Sequence, residues 1–318
     1  MKKVLITAAL PGDVDKLLGQ NGFNVEIFPG DRQITKSELQ LHIRDKAALI
    51  SLLSDPVDRD VIESSPQLEI IANYAVGYNN IDIKAAADRG IIITNTPDVL
   101  TEATAELAVA LTFACMRHLP ASENFLRRGK FRGWRPDLFT GLGLSGRQVG
   151  IVGAGRIGRS YASKMQALGC RIIYSSRSRN LSFERATGAT FTSLDELFSK
   201  SDIVSLHIPL NNDTRDLIGS KYLSMLKNDA ILINTARGEI LDEEFLIKIL
   251  KNKKIFAAGL DVYRNEPDIN PEFLNLENVI LLPHTGSATK EARTEMALLA
   301  AKNVINVLNG KTPVTQVL

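Results

Sequence analysis

The chain has 318 residues, enough for two domains, and its composition (44% hydrophobic, 23% charged) supports a sizeable core. A net charge of +2 provides no broad field for nucleic acid or a membrane surface. Two cysteines, Cys115 and Cys170, form neither a disulfide framework nor a metal-ligand pattern, so a reducing compartment and no metal are expected.

The opening MKKVLITAAL has only a short apolar run, and Asp13 and Asp15 follow quickly. It reads as a first strand, not a signal peptide. No apolar run approaches the ~20 residues of a membrane span. A cytoplasmic protein is expected. Over residues 1–97, apolar runs predict strands at Val4–Thr7, Val25–Phe28, Ala48–Leu52, Ile70–Asn73 and Ile91–Thr94. Amphipathic runs between them predict helices at Val14–Gly19, Lys36–Arg44, Asp58–Ser64 and Ile83–Arg89. Such alternation implies a parallel sheet covered on both faces. His42 sits among polar residues and is expected to be solvated.

Thr101–Met116 is apolar nearly all round, apart from Glu102 and Glu106. It predicts a buried helix, inside one domain or between two subunits. Glu123–Gly143 is polar and holds the only tryptophan, Trp134. It reads as an excursion from the core whose tryptophan marks a contact surface.

Gln148–Arg179 is the most informative stretch. A short apolar run to Val152 predicts a buried strand, and Gly153, Gly155 and Gly158 follow in G-x-G-x-x-G spacing. Ile157, Tyr161, Met165 and Leu168 share one helical face, Gly169 ends the helix, and Ile172–Tyr174 predicts the next strand. Strand, glycine turn, helix and strand in that order point to a dinucleotide. The first glycine permits the tight turn, the second lets amides approach a pyrophosphate, and the third lets helix and strand pack closely. Three glycines alone could be an ordinary turn; the flanking elements make the pattern specific. At the end of the second strand stand Ser175, Ser176, Arg177, Ser178 and Arg179, with no acid. An acid there would bind a ribose 2′-hydroxyl and repel a 2′-phosphate. Hydroxyls and guanidinium groups would accept the phosphate, so NADPH is the expected cofactor, with NADH possible.

Further strands are predicted at Ile203–Leu206, Ala230–Ile233, Ala257–Leu260 and Val279–Leu282. Helices are predicted at Leu194–Ser199, Ser220–Leu226, Asp242–Lys251 and Lys290–Leu308. In an open α/β sheet, ligands bind beyond the carboxyl ends of the strands. Those ends carry, in turn, His207 and Pro209; Asn234, Thr235 and Arg237; Asp261 and Glu266; and His284 and Gly286. An arginine, acids and two histidines thus gather at one rim.

NTARGEILDEEFL, GLDVYRNEP and LLPHTGSAT resemble signature segments of the D-isomer-specific 2-hydroxyacid dehydrogenase family. NYAVGYNNID and NTPDVLTEATAELAVAL match its pattern as well, and the resemblance covers essentially the whole chain. Within the family, the chain looks most like glyoxylate/hydroxypyruvate reductases. The resemblance implies an α/β fold of two Rossmann-like domains. These are a flavodoxin-like substrate-binding domain over 1–98 plus 288–318 and a doubly wound dinucleotide-binding domain over 99–287. It also implies a homodimer built on the nucleotide-binding domains, with the Trp134 segment as a contact loop.

By the same resemblance, Arg237, Glu266 and His284 are the catalytic residues of a reduction of a small 2-oxo acid to the D-2-hydroxy acid. Arg237 would bind carboxylate and carbonyl oxygens, His284 would donate the proton, and Glu266 would hold the imidazole. His207 is the rival acid, although the family places it near the cofactor. Val76 and Gly77 would offer backbone amides to the substrate carboxylate, and Leu53 would line the pocket. Thr104, Arg156, Ile157, Asn234, Thr235, Asp261 and Gly286 would meet the cofactor. Two alternatives stand beside this reading: another substrate, such as 3-phosphoglycerate or D-lactate, or a non-catalytic nucleotide-sensing protein.

Overall fold

The computed structural model describes residues 1–30 and 32–317. They form two compact units, Met1–Leu100 with Ser287–Leu318, and Thr101–Gly286. No helix among the described residues is long and apolar enough to cross a membrane.

The first unit contains β1 (Lys3–Ile6), β2 (Asn24–Ile27), β3 (Ala48–Leu52), β4 (Ile70–Tyr74) and β5 (Ile92–Thr94). They pair in parallel in the order β2-β1-β3-β4-β5. This is the flavodoxin-like order. Val4, Leu5 and Ile6 are buried, as are Ala48, Leu49 and Ile50, because helices cover both faces and leave no polar side. Helix starts follow local chemistry. Thr35 and Glu38 form a reciprocal capping box, and Asp58 and Asp82 accept from the amides of Val61 and Ala85. The helix Lys290–Leu308, capped by Thr289, lies on β4, where the Tyr74 hydroxyl donates to the Arg293 carbonyl at 2.8 Å.

The second unit contains β6 (Gln148–Val152), β7 (Arg171–Ser175), β8 (Thr190–Phe191), β9 (Ile203–Leu206), β10 (Ile231–Asn234), β11 (Ala257–Leu260) and β12 (Val279–Leu281). All pair in parallel, in the order β12-β11-β10-β9-β6-β7-β8. The chain winds outward from β6 one way, then returns to β9 and winds the other way. This is a doubly wound sheet with its topological switch between β6 and β9.

The predicted helix Thr101–Met116 is present, and its burial lies within the second unit. Ala105, Ala108, Leu111 and Cys115 join the core there, and the Thr112 hydroxyl meets Tyr161 Oη at 2.9 Å. Cys115 and Cys170 are buried and free; desolvation pushes the Cys115 thiol up to about 12.

Three features differ from the sequence expectations. The excursion after residue 116 includes a helix, Leu119–Arg127, none of whose residues is buried. A short helix, Leu181–Thr187, and β8 follow β7 where neither was predicted. His42 is not simply solvated: its Nδ1 pairs with Glu26, and its ring stands edge-on to Phe28 at 5.5 Å. Trp134, as expected, is 82% exposed, with Leu126 and Phe131 also exposed nearby in the chain.

Candidate active site

The glycine turn follows β6 at the switch point. Gly153 has φ +97°, a left-handed value that costs glycine nothing. A Cβ on it would lie 2.7 Å from the His207 carbonyl oxygen. A Cβ on Gly158 would overlap the Gly153 carbonyl oxygen, so this glycine sets how closely helix Arg156–Ala167 approaches the turn. A Cβ on Gly155 would meet nothing within 4 Å. Gly155 is also the helix N-cap and supplies no side-chain cap. The helix therefore begins with uncapped amides beside open space, as a bound phosphate requires. Arg156 is exposed at the first helical position, and Ile157 packs on the core. Gly158→Ala is expected to destabilise the protein by about 1–3 kcal/mol through overpacking, read as a lowered Tm.

After β7, the Ser176 hydroxyl donates to the Ser178 carbonyl at 2.7 Å and tightens the loop. Ser175 and Ser176 are half-buried; Arg177 and Ser178 are exposed. An acid that the sequence reading did not place there approaches this loop from the next helix. Glu184 takes a forked pair of hydrogen bonds from Arg179 and one from the Tyr174 hydroxyl. Arg179 holds the Glu184 carboxyl below the ordinary carboxylate range. Arg179 is thus committed, and Arg177 is the guanidinium turned to solvent.

The rim of β9 to β12 carries the remaining candidates. His207 Nε2 meets Ser205 Oγ at 2.8 Å, and its ring lies 5.2 Å from that of Tyr161. The residue is half-buried, and desolvation pushes its pKa down to about 3. It is neutral at physiological pH and has no imidazolium proton to give. Pro209 is exposed next to it.

Beyond β10, Asn234 is fully buried and shapes the loop. Its Nδ2 donates to the Arg237 carbonyl at 2.9 Å, and its Oδ1 accepts from the Ala236 amide at 3.0 Å. Arg237 Nη1 donates to the Ala236 carbonyl at 2.7 Å. Burial lowers the Arg237 pKa, and Glu266 and Glu239 act against that; a guanidinium stays charged regardless. Gly238 follows because a Cβ there would overlap the Tyr263–Arg264 backbone. Buried Glu243, which the sequence reading did not single out, accepts from the Arg264 amide at 2.7 Å and fixes that same backbone. The second acidic residue of LDEE was a signal for it, since an acid in a first helical turn beside a glycine-packed loop has backbone amides in reach.

The next loop carries Glu266. Its Oε1 accepts from the Tyr263 amide at 2.9 Å, and its Oε2 meets His284 Nδ1 at 2.6 Å. Burial would raise the Glu266 carboxyl. The His284 ring, the Tyr263 amide and the Arg237 charge outweigh it, and the pKa sits below the ordinary value. His284 has φ +53°, uncommon for a residue with a side chain. Its amide donates to the Asp261 carbonyl at 2.9 Å. With Nδ1 held by a carboxylate, the proton is fixed on Nδ1, and Nε2 is the nitrogen that can exchange a proton outside the pair. Arg237, Glu266 and His284 are therefore brought into one electrostatic cluster.

Asp261 and Thr235 test whether a nicotinamide group fits. Asp261 Oδ1 accepts from the amide and hydroxyl of Thr285, at 2.7 and 3.1 Å. Its Oδ2 is buried without a hydrogen-bond partner, and burial pushes this carboxyl up from its ordinary value, against the Thr285 amide and weaker opposing contributions. Thr235 Oγ1 is likewise buried and unpartnered. Buried Thr104 lies against Gly286. An acceptor and a hydroxyl awaiting partners suit a carboxamide, which offers both donors and an acceptor.

In the first unit, Leu53 follows β3, and Val76 and Gly77 follow β4; all three are half-buried.

Residues 109–286 match the family model described as D-isomer specific 2-hydroxyacid dehydrogenase, NAD binding domain. The chain is 45% identical to a glyoxylate reductase of Thermococcus kodakarensis, covering 99% of this chain and 96% of that one. It is 44% identical to a glyoxylate reductase of Pyrococcus furiosus, covering 99% and 95%. Among solved structures it resembles a Thermus thermophilus protein, with a TM-score of 0.94, 38% identity, and 99% and 100% coverage. It also resembles an NADPH-dependent glyoxylate/hydroxypyruvate reductase of Sinorhizobium meliloti in complex with NADP and malonate. That match has a TM-score of 0.88, 32% identity, and 99% and 96% coverage.

Proposed function

The chain belongs to the D-isomer specific 2-hydroxyacid dehydrogenase family, and from that premise we propose how it reduces a small 2-oxo acid to the 2-hydroxy acid. Glyoxylate and hydroxypyruvate are the substrates we favour, giving a D-configured product where the product is chiral. The observation that carries this reading is the 2.6 Å pair of His284 Nδ1 and Glu266 Oε2, close in charge to Arg237.

When bound, the dihydronicotinamide supplies the hydride. The Gly153–Gly158 turn would hold its phosphates, and Thr104, Thr235, Asp261 and Gly286 its carboxamide end. Arg237 binds the oxygens of the 2-oxo acid through its planar fork. His284, as imidazolium, donates the Nε2 proton to the carbonyl oxygen as negative charge grows there. Glu266 keeps the ring oriented and balances its charge throughout. In the reverse direction, neutral His284 accepts the hydroxyl proton at Nε2. Leu53, Val76 and Gly77 are proposed substrate contacts from the first unit, which makes 1–98 with 288–318 the substrate-binding domain and 99–287 the nucleotide-binding one.

We favour NADPH over NADH. Arg177 and the serines of the β7 loop suit a 2′-phosphate, and Arg179 already neutralises the one acid beside them. Arg177→Glu is expected to lower kcat/KM for NADPH roughly tenfold to hundredfold, the worth of a hydrogen bond to a charged group. NADH should be nearly unaffected. We further propose a cytoplasmic homodimer, with the exposed Leu126, Phe131 and Trp134 segment at its contact. Steady-state kinetics with NADPH and NADH against glyoxylate, hydroxypyruvate, pyruvate and 3-phosphohydroxypyruvate test the whole reading. Absence of turnover with the first two would overturn it.

A further inference from the structure

We propose that Asn95 and Asn73 are positioning residues that aim the backbone amides of Gly77 and Tyr78 at the substrate carboxylate, making Tyr78 a further donor. This rests on the reading that the loop after β4 meets a 2-oxo acid.

In a trans peptide the C=O and the following N–H point in opposite directions, so fixing one aims the other. Outside Glu266–Pro267 the described peptide bonds are trans. Three successive carbonyls in the loop are anchored by three different donors. The Ala75 carbonyl accepts from the Thr96 amide at 2.9 Å, which aims the Val76 N–H. The Val76 carbonyl accepts from Asn95 Nδ2 at 2.8 Å, which aims the Gly77 N–H. The Gly77 carbonyl accepts from Asn73 Nδ2 at 2.8 Å, which aims the Tyr78 N–H. Among the described residues, none of these three N–H groups donates to another residue. Consecutive fixed N–H groups of this kind are how a backbone presents itself to an anion.

The anchors are themselves held. Asn73 is fully buried, and its Oδ1 accepts from Ser51 Oγ at 3.0 Å. Its Nδ2 also reaches Asn80 Oδ1 at 3.1 Å, and Asn80 Nδ2 donates to the Leu52 carbonyl at 3.0 Å. The Leu53 loop and the Gly77 loop are thereby tied together. Asn95 is secured through its carbonyl, which accepts from Thr315 Oγ1 at 2.7 Å. The amide side chain is required because it donates without carrying charge. Aspartate could not donate, and its charge would repel the substrate.

The test is Asn95→Leu, which keeps the size and removes the donor, read on the full-length enzyme. KM for glyoxylate and the Kd of oxalate, measured by calorimetry on the NADPH-loaded protein, are both expected to rise roughly tenfold, as for one lost aligned hydrogen bond. The kcat should stay within about threefold, and NADPH affinity within about twofold, because the hydrogen bonds of Asn95 go to Val76 and Thr315. Unchanged oxalate affinity would overturn the proposal. So would a loss of oxalate affinity matched by an equal loss of NADPH affinity in a variant that keeps the wild-type circular dichroism. If Asn95→Leu does not fold, Asn95→Ala is read in the same way. A wild type that binds oxalate but turns over no 2-oxo acid would instead refute the functional reading, while the variant's oxalate affinity would still decide this proposal.

Discussion

Replacing His284 by alanine should lower kcat for 2-oxo acid reduction roughly 10²- to 10⁴-fold, the usual contribution of a positioned general acid. Steady-state turnover and NADPH titration together check it; NADPH affinity should change little. The expectation rests on exclusivity as much as on proximity. The other histidine at the rim, His207, is held neutral by desolvation, with its pKa pushed down to about 3. It has no proton to supply at the pH of catalysis, so His284→Ala leaves no understudy. The pH profile of the wild type should carry a related signature on its acid side. The Glu266 carboxyl is depressed, so its pairing with His284 is fully present above the ordinary carboxylate pKa. The pairing is lost only as pH falls through the lowered value. Turnover surviving His284→Ala nearly intact would mean the acid has been misassigned.

Arg237→Lys should cost roughly 10²-fold in kcat/KM, since a hydrogen bond to a charged group is worth about 1.5–3 kcal/mol and lysine cannot make two from one plane. The loss should exceed what charge alone predicts, because the surroundings are built around the fork. Asn234 spends both amide atoms on the loop that presents it, and the Ala236 carbonyl takes one guanidinium hydrogen. Lysine in that half-buried setting supplies a point charge without the planar geometry. Substrate-dependent kinetics check this: a change of twofold or less would argue against bidentate recognition.

Much of this architecture was legible from residue order. Strands such as Ile203–Leu206 and Ala257–Leu260 end where their apolar runs end, because a parallel strand covered on both faces has no polar alternation to blur its limits. The roles of the three glycines could be assigned from spacing, since each answers a different steric demand. Other features left no local trace. Helix Leu119–Arg127 buries no residue and carries Pro120 in its first turn, which reads as a break as easily as a start. Strand β8 is two residues long. Glu26 pairs with His42 across 16 positions of sequence, and Glu184 reaches Arg179 only once a turn has folded between them. The candidate site was legible as residue types at strand ends. The left-handed backbone at His284, the orphaned Asp261 oxygen and the desolvation of His207 belong to packing, which single residues do not announce.

The route of the chain through the first unit has a consequence for biosynthesis. Its final helix, Lys290–Leu308, leaves the ribosome only after every residue of Thr101–Gly286. Until then the face of β4 that this helix covers stays bare, and the bond from Tyr74 must wait 219 positions for its acceptor. Vectorial folding therefore favours completion of the later-starting unit before the earlier one. A nascent chain paused in this interval exposes the apolar face of β4 that the helix will cover, a transient surface on which aggregation can start.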